Sequence, residues 1–423
     1  MKRILFFLLV LIAGSSMVFA RGGQGGRAAA ASNDVVLWAF AETHARYFEW
    51  VGAEYKKTHP DFNLKVELMD GDALNDRLSV VIMANGEGSP DLVDMNESAF
   101  PRYMSAEKIC FEPLTSWIQR DGIGDKVVAS RQNLYFYNGN YYGIEHALTP
   151  VTMAYRKDLF EKYNIKVPTT WTEYKDAAAK FKPYGIYITA VNDMRITGLP
   201  EEQLDAFVRA ANADYINSRG ELTITPTFRQ LVADFRTMQQ QGLTFSWETD
   251  EEHWSAFRQD IIATYITPDW AAGWLKDNVP EQAGKWAMAA LPKFDANSLG
   301  TSCRGGTGLT IMKYSKKDKE ALWDFVKFAQ VDTNNAVQKY KMINLFPVVY
   351  AAMPLCSSPD PYYGGQDLGA LYAQLSREMP VQNQAPWRGV WNDTMAANGY
   401  DYYEGNITLD QYLNLGAEAI KNR

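Results

Sequence analysis

Trp38 stands four residues before Glu42, Asp269 adjoins Trp270, and Trp387-Arg388-Gly389-Val390-Trp391-Asn392 sets two indoles around an arginine and an asparagine. Asn96-Glu97-Ser98, Glu145-His146 and Arg304-Gly305-Gly306 add short polar runs. Flat aromatic faces cover the C–H face of a sugar ring, while carboxylate, amide and guanidinium groups make planar, often paired hydrogen bonds to its hydroxyls. The 12 Trp, 24 Tyr and 20 Phe are too many to lie outside a core, so only the tryptophans beside Gly, Asp, Asn or Pro in expected loops are candidates for contact with a ligand.

Bond-breaking chemistry has less support. A glycoside hydrolase needs two opposed carboxylates, one of them a proton donor. Glu97, Glu145 and Asp269 supply carboxylates on paper, yet nothing in the sequence marks a donor. G-x-S-x-G, H-E-x-x-H and the Walker phosphate loop are all missing, so esterase, zinc-protease and ATPase readings have no motif. Cys110, Cys303 and Cys356 form no CxxC, and His44, His59, His146 and His253 are dispersed, so neither a metal site nor a cofactor is expected. One disulfide would be compatible with an oxidising compartment, but the sequence does not select the pair.

Charge narrows the partners. The chain carries 42 basic and 50 acidic residues, a net −8. That balance excludes nucleic acid as a natural ligand. Lys2 and Arg3 precede the apolar run Ile4–Ile12 and small residues lead to Val18-Phe19-Ala20, which reads as a signal peptide over 1–20 cleaved after Ala20. Losing it leaves 40 basic against 50 acidic residues, or −10. No cysteine follows the apolar run, so an exported, periplasmic, soluble chain is expected rather than a lipid-anchored one. Residues 21–33, rich in Gly, Ala and Ser, read as a flexible tether.

The remaining residues are too many for one core and predict two domains. Val35-Val36-Leu37 opens a strand, Tyr47, Phe48, Val51 and Tyr55 recur at helical spacing, and Leu64, Val66 and Leu68 alternate with charges. Leu74, Leu78 and Ile82 then mark a helix, and Pro90-Asp91-Leu92-Val93 another strand. This β-α-β-α-β order predicts mainly parallel sheets with helices on both faces and ligand loops at the carboxyl ends of strands, so Trp38 and Glu42 become site candidates. Thr170 with Glu173 and Thr408 with Gln411 form capping boxes, and Ser315 is expected to cap a helix carrying Leu322, Phe325, Val326 and Ala329.

Several motifs then carry a family resemblance. Tyr141-Tyr142-Gly143-Ile144, Ala154-Tyr155-Arg156-Lys157-Asp158-Leu159-Phe160 and Val167-Pro168-Thr169-Thr170-Trp171-Thr172-Glu173 resemble the ordered signature of extracellular solute-binding proteins of carbohydrate ABC importers, the maltodextrin-binding protein group. Pro90 to Val93 before Pro113-Leu114, Phe257 to Trp270, Gly305 to Leu309 and Ser315 to Phe328 extend the similarity over nearly the whole chain after the tether.

The resemblance implies two α/β lobes with a closing cleft and hinge crossovers near Ala147–Thr152, near Pro268–Ala272 and after the Trp323 helix. The corresponding boundaries are 34–147 plus 272–331 for the N-terminal lobe and 148–271 plus 332–423 for the C-terminal lobe. It implies a receptor that delivers a sugar to ABC permease subunits, acting as a monomer and without catalysis. It also implies ligand roles for Trp270, Glu97, Ser98, Trp387 and Arg388. Glu145-His146 departs from the family's usual Pro-aromatic pair, yet His146 falls at a crossover facing the cleft. Arg304 and Gly305 join the candidates because glycines there let backbone N–H groups approach a ligand. Receptors for polyamines or metals share the architecture and remain the alternative, with a glycoside-active enzyme behind them. Trp391 is expected to pack inside with Met395.

Overall fold

The computed structural model describes residues 34–105, 107–199 and 202–422; the signal-peptide and tether expectations fall outside them. The chain runs through β1 (Val35–Ala39), α1 (Glu42–Lys56), β2 (Leu64–Leu68), α2 (Gly71–Met83), β3 (Leu92–Asn96), β4 (Gly143–Glu145) and β5 (Pro150–Arg156). It continues through α3 (Trp171–Phe181), β6 (Ala190–Asn192), β7 (Phe245–Trp247), β8 (Thr264–Pro268), β9 (Trp286–Ala289), β10 (Ser302–Cys303) and β11 (Thr307–Ile311). Helices α4 (Lys319–Gln330), α5 (Thr333–Ile343), α6 (Arg388–Ala397) and α7 (Leu409–Lys421) follow.

The first sheet has the order β2-β1-β3-β11-β4, with β1 parallel to β2 and β3, and β11 antiparallel to β3 and β4. Its parallel half is the β-α-β-α-β unit that the apolar periodicity predicts. The second sheet is built on β5, flanked by β8 and β9 with β10 pairing its start, all antiparallel. The parallel expectation therefore fails there. The βαβ segment after β5 goes instead into a separate parallel pair, β6 with β7.

The strand pairing also corrects the expected boundaries. Residues 272–331 are expected in the N-terminal lobe, whereas β9 and β10 hydrogen-bond to β5 and the chain reaches the first sheet's β11 only at Thr307. Helix α5, expected with the second sheet, packs on α1 and α4. Short strands such as β9 carry no local mark of which sheet they will join.

Capping follows the sequence at two helices. Thr170 accepts from the Glu173 N–H while the Glu173 side chain returns to the cap, and Thr408 and Gln411 do the same for α7. Such a box satisfies donors that the first turn leaves orphaned. Ser315 does not cap α4; Asp318 does, accepting from Glu320 and Ala321, while Ser315 donates to Asp91 at 2.5 Å. In α3, Trp171, Tyr174, Ala178 and Phe181 are buried, with Trp171 stacked on Tyr174 and Phe235 and its indole N–H donating to Asp234 at 2.7 Å. Trp391 and Met395 are fully buried on α6, as their spacing predicts. All three cysteines are buried free thiols.

Candidate ligand-binding site

Where the chain passes between the sheets, its segments hold one another. The His146 N–H donates to the Thr307 carbonyl at 2.8 Å, Arg304 to Thr149 at 3.3 Å, and Glu97, just past β3, to Gly306 at 3.0 Å. Gly305 and Gly306 have φ of 74° and 151°, a region open mainly to glycine. A Cβ on Gly306 would lie 2.5 Å from a nitrogen of Arg131, so the bare backbone makes room for that fully buried guanidinium. Arg131 in turn donates to the Gly305 carbonyl at 2.6 Å and to Gln382 at 3.3 Å.

Glu97 is the centre of the polar network. Its Oε2 accepts from Gln382 at 3.1 Å, from Gln384 at 2.8 Å and from Arg388 at 2.8 Å. Burial alone would raise its pKa, but Arg388, Arg209 and the hydrogen bonds from Gln384 and Arg388 outweigh burial and hold the carboxyl below its ordinary value. Neighbouring carboxyls behave differently. Burial pushes Glu145 up to about 7 against the pull of Arg131, and one of its oxygens accepts from the His146, Ala147 and Thr307 N–H groups. Asp269 is likewise raised to about 7 by burial, although it accepts from the Trp270 and Phe346 N–H groups.

A cavity of about 250 Å³ lies at the carboxyl ends of β6 and β7, and Arg304, next in the chain to Gly305, is the lining residue nearest in sequence to this network. Trp247, Trp254 and Trp274 supply aromatic walls, and Asn192, Asp250 and Arg304 supply polar groups. Trp270 sits half-buried next to it, edge-on to Trp274 with centroids 5.0 Å apart, its indole N–H donating to the Arg304 carbonyl at 3.2 Å. The Arg304 guanidinium lies 5.7 Å from the Trp270 ring and pairs with Glu202. Apolar faces with convergent planar hydrogen-bonding groups make a site suited to a small polar ring.

Residues 50–360 match the model of the bacterial extracellular solute-binding protein family. The chain belongs to that family. This solute-binding protein is 23% identical over 365 residues to the arabinooligosaccharide-binding protein of Bacillus subtilis strain 168, covering 82% of the chain and 78% of the relative. It is 21% identical over 386 residues to the lactose-binding protein of Rhizobium radiobacter, covering 88% of each. Among solved structures, the sugar-binding protein MalE from Xanthomonas citri superposes with a TM-score of 0.74 at 20% identity, covering 92% of this chain and 96% of that one. The binding protein of B. animalis subsp. lactis Bl-04 in complex with beta-1,6-galactobiose gives 0.68 at 22%, with coverage of 92% and 96%. The fold is accordingly the two-lobed α/β architecture of periplasmic binding proteins.

Within this solute-binding protein the residues singled out from sequence separate into groups. Glu97 and Arg388 meet in the network, while Trp270, Arg304 and Gly305 gather at the cavity's edge. Ser98 is exposed, bonded to Asn96, and borders with Arg388 a second depression near Pro101 and Lys108. Glu42 is exposed in the first turn of α1. Trp38 and Trp387 depart from the ligand reading. Trp38 is buried under Arg77 with its N–H on Glu67 at 3.1 Å, because β1 is a central strand covered on both faces. Trp387 is buried against Tyr215 and donates to the Gly220 carbonyl at 2.8 Å.

His146 is buried away from the cavity, in contact with Asp94. Sequence reasoning missed Arg131, Gln382 and Gln384, which carry no motif. It also passed over Trp247 and Trp274, whose only signal was an indole beside a polar or glycine residue.

Proposed function

We propose that this solute-binding protein is the capturing subunit of an ABC importer, and that its ligand is a saccharide held between the lobes and passed unchanged to the membrane permease. The observation that carries this reading is the Glu97 network: a buried carboxylate on the first lobe clasped by Gln382, Gln384 and Arg388 of the late chain, bordered by the depression that Ser98 and Arg388 line, with the aromatic-walled cavity on the second lobe ending at Arg304. Polar contacts between lobes next to such a cavity are what a closing clamp needs, because a ligand touching both lobes binds the closed form more tightly and shifts the equilibrium toward it. The curated relatives named for arabinooligosaccharides and lactose support a sugar over a polyamine or metal.

In this reading the first lobe comprises residues 34–145 and 307–343 and the second 150–303 with the late chain, joined at His146–Thr149, Arg304–Gly306 and the segment after Ile343, where Val348–Tyr350 still pair with Lys126–Val128. Catalysis has no support in the carboxylates, since Glu97 is ion-paired and Glu145 and Asp269 are engaged by backbone N–H groups. No helix among the described residues is long and apolar enough to cross a membrane.

The test is a thermal-shift screen against neutral mono- and oligosaccharides, uronic acids, polyols and polyamines, since a ligand bound only by the folded state raises its melting temperature. A saccharide should give the largest shift, reduced in Trp270→Ala. A response confined to polyamines would overturn the sugar assignment.

A further inference from the structure

The chain's four histidines are dispersed in sequence, yet the fold brings two of them onto one carboxylate. His44 projects from α1, Asp94 from β3, and His146 from the segment leaving β4. His44 Nδ1 lies 2.8 Å from Asp94 Oδ2, and His146 Nε2 lies 2.8 Å from Asp94 Oδ1. One ligating atom from each residue falls within 4.8 Å of the other two, and all three residues are buried. The expectation of no metal-ligating set is therefore met by a constellation that only tertiary structure assembles.

A purely hydrogen-bonded triad is the competing account, and it explains one of the two contacts. His44 and Asp94 are aligned for a hydrogen bond. The His146 Nε2–Asp94 Oδ1 contact is close but off hydrogen-bond alignment, so neither of these atoms nor His146 Nδ1 makes a well-aligned hydrogen bond in a site where unmade hydrogen bonds cost stability. His146 is 2% exposed and Asp94 0%, so bulk water does not satisfy them. Lys339, the nearby buried cation, donates to the His146 carbonyl and to Gln330 rather than to these atoms.

We infer that His44, Asp94 and His146 form a binding site for a divalent transition-metal ion of the zinc class. Two imidazole nitrogens and one carboxylate oxygen are a ligand set that zinc takes, with bonds of about 2.0–2.2 Å and a fourth position for water. Ligating atoms in a tetrahedral zinc site stand about 3.4 Å apart, as bonds of that length require, so small rotations of the three side chains suffice. The ion would neutralise Asp94, satisfy the unpartnered nitrogen and oxygen together, and fasten α1, β3 and the first crossing segment into one unit.

The experiment uses the untagged full chain, unfolded and refolded with one equivalent of zinc chloride or with EDTA, followed by metal analysis, melting temperature and the visible spectrum of the cobalt(II)-loaded form. The expected result is one zinc per chain, a melting point several degrees above the EDTA sample, and ligand-field bands of four-coordinate cobalt. His44→Gln and His146→Gln should lose the stoichiometric zinc, while His59→Gln and His253→Gln retain it. Should either ligand variant fail to fold, the cobalt spectrum of the wild-type protein decides alone. Absence of stoichiometric metal and of those bands, or binding that survives loss of His44 or His146, would overturn the site.

Discussion

Replacing Arg388 with Met tests how the lobes are held together. Arg388 and Glu97 have side chains only 11% and 6% exposed and meet at 2.8 Å, so the substitution leaves a buried carboxylate without its cation. Breaking one partner of such a pair costs about 3–5 kcal/mol. Gln382 and Gln384 still donate to Glu97, which argues for the lower end, about 3 kcal/mol. In the proposed lobe assignment the contact joins the lobes, so that cost falls on the closed form. A closed state weakened by about 3 kcal/mol lowers apparent ligand affinity by about two decades, at 1.4 kcal/mol per tenfold.

Titration calorimetry with the best saccharide from the thermal screen measures the affinity, and small-angle scattering of the ligand-free protein measures opening. Arg388→Met should bind about 100-fold more weakly and scatter as a more expanded particle. The double variant Glu97→Gln/Arg388→Met, which removes both charges, should recover most of the affinity. An affinity for Arg388→Met within about twofold of wild type, a change of under about 0.5 kcal/mol, would make the pair an ordinary core contact with no part in closure.

Other perturbations read separate features. Asp269 keeps a proton in the folded state up to about pH 7 that the unfolded chain sheds near pH 4, so this group's contribution weakens as pH rises between them. Urea denaturation should therefore show the stability advantage of wild type over Asp269→Asn shrinking from pH 5 to pH 8. Gly306→Ala puts a methyl group 2.5 Å from Arg131 and 2.8 Å from Glu145 at a φ of 151°, and should cost about 1–3 kcal/mol in the same assay. Thr170→Ala removes the cap of α3 and should lower stability by about 1 kcal/mol while leaving ligand affinity unchanged.

Local pattern made much of the fold legible. The first sheet's parallel half, the two capping boxes and the buried Trp391 with Met395 all follow from spacing along one element. The second sheet's direction and the lobe boundaries depend on which distant strand β9 and β10 reach, and strands of four and two residues hold too little pattern to decide that. The cap of α4 turned on a three-residue shift, Asp318 for Ser315, where either side chain suits the role.

Among the expected ligand residues, Glu97 meets Arg388 and Trp270 meets Arg304, and each is legible because charge or an indole stands at a strand end or beside a family motif. Trp38 was misjudged because an indole ending a strand looks alike whether it faces a cleft or a helix layer; here Leu74 and Leu78 of α2 share its core. Gln382 and Gln384 lie in an irregular stretch whose amides acquire meaning only once Glu97 is opposite them. The joining of His44 to His146 across about a hundred residues belongs to the same class of tertiary fact.

Capture without chemistry is decided by one titration. The saccharide that stabilises the protein most is titrated into the full chain by calorimetry, and the cell contents are then resolved by chromatography. One molecule should bind per chain, more weakly in Trp270→Ala, and the saccharide should be recovered intact. No heat from any saccharide in the panel, or recovery of cleaved sugar in step with protein concentration, would contradict it.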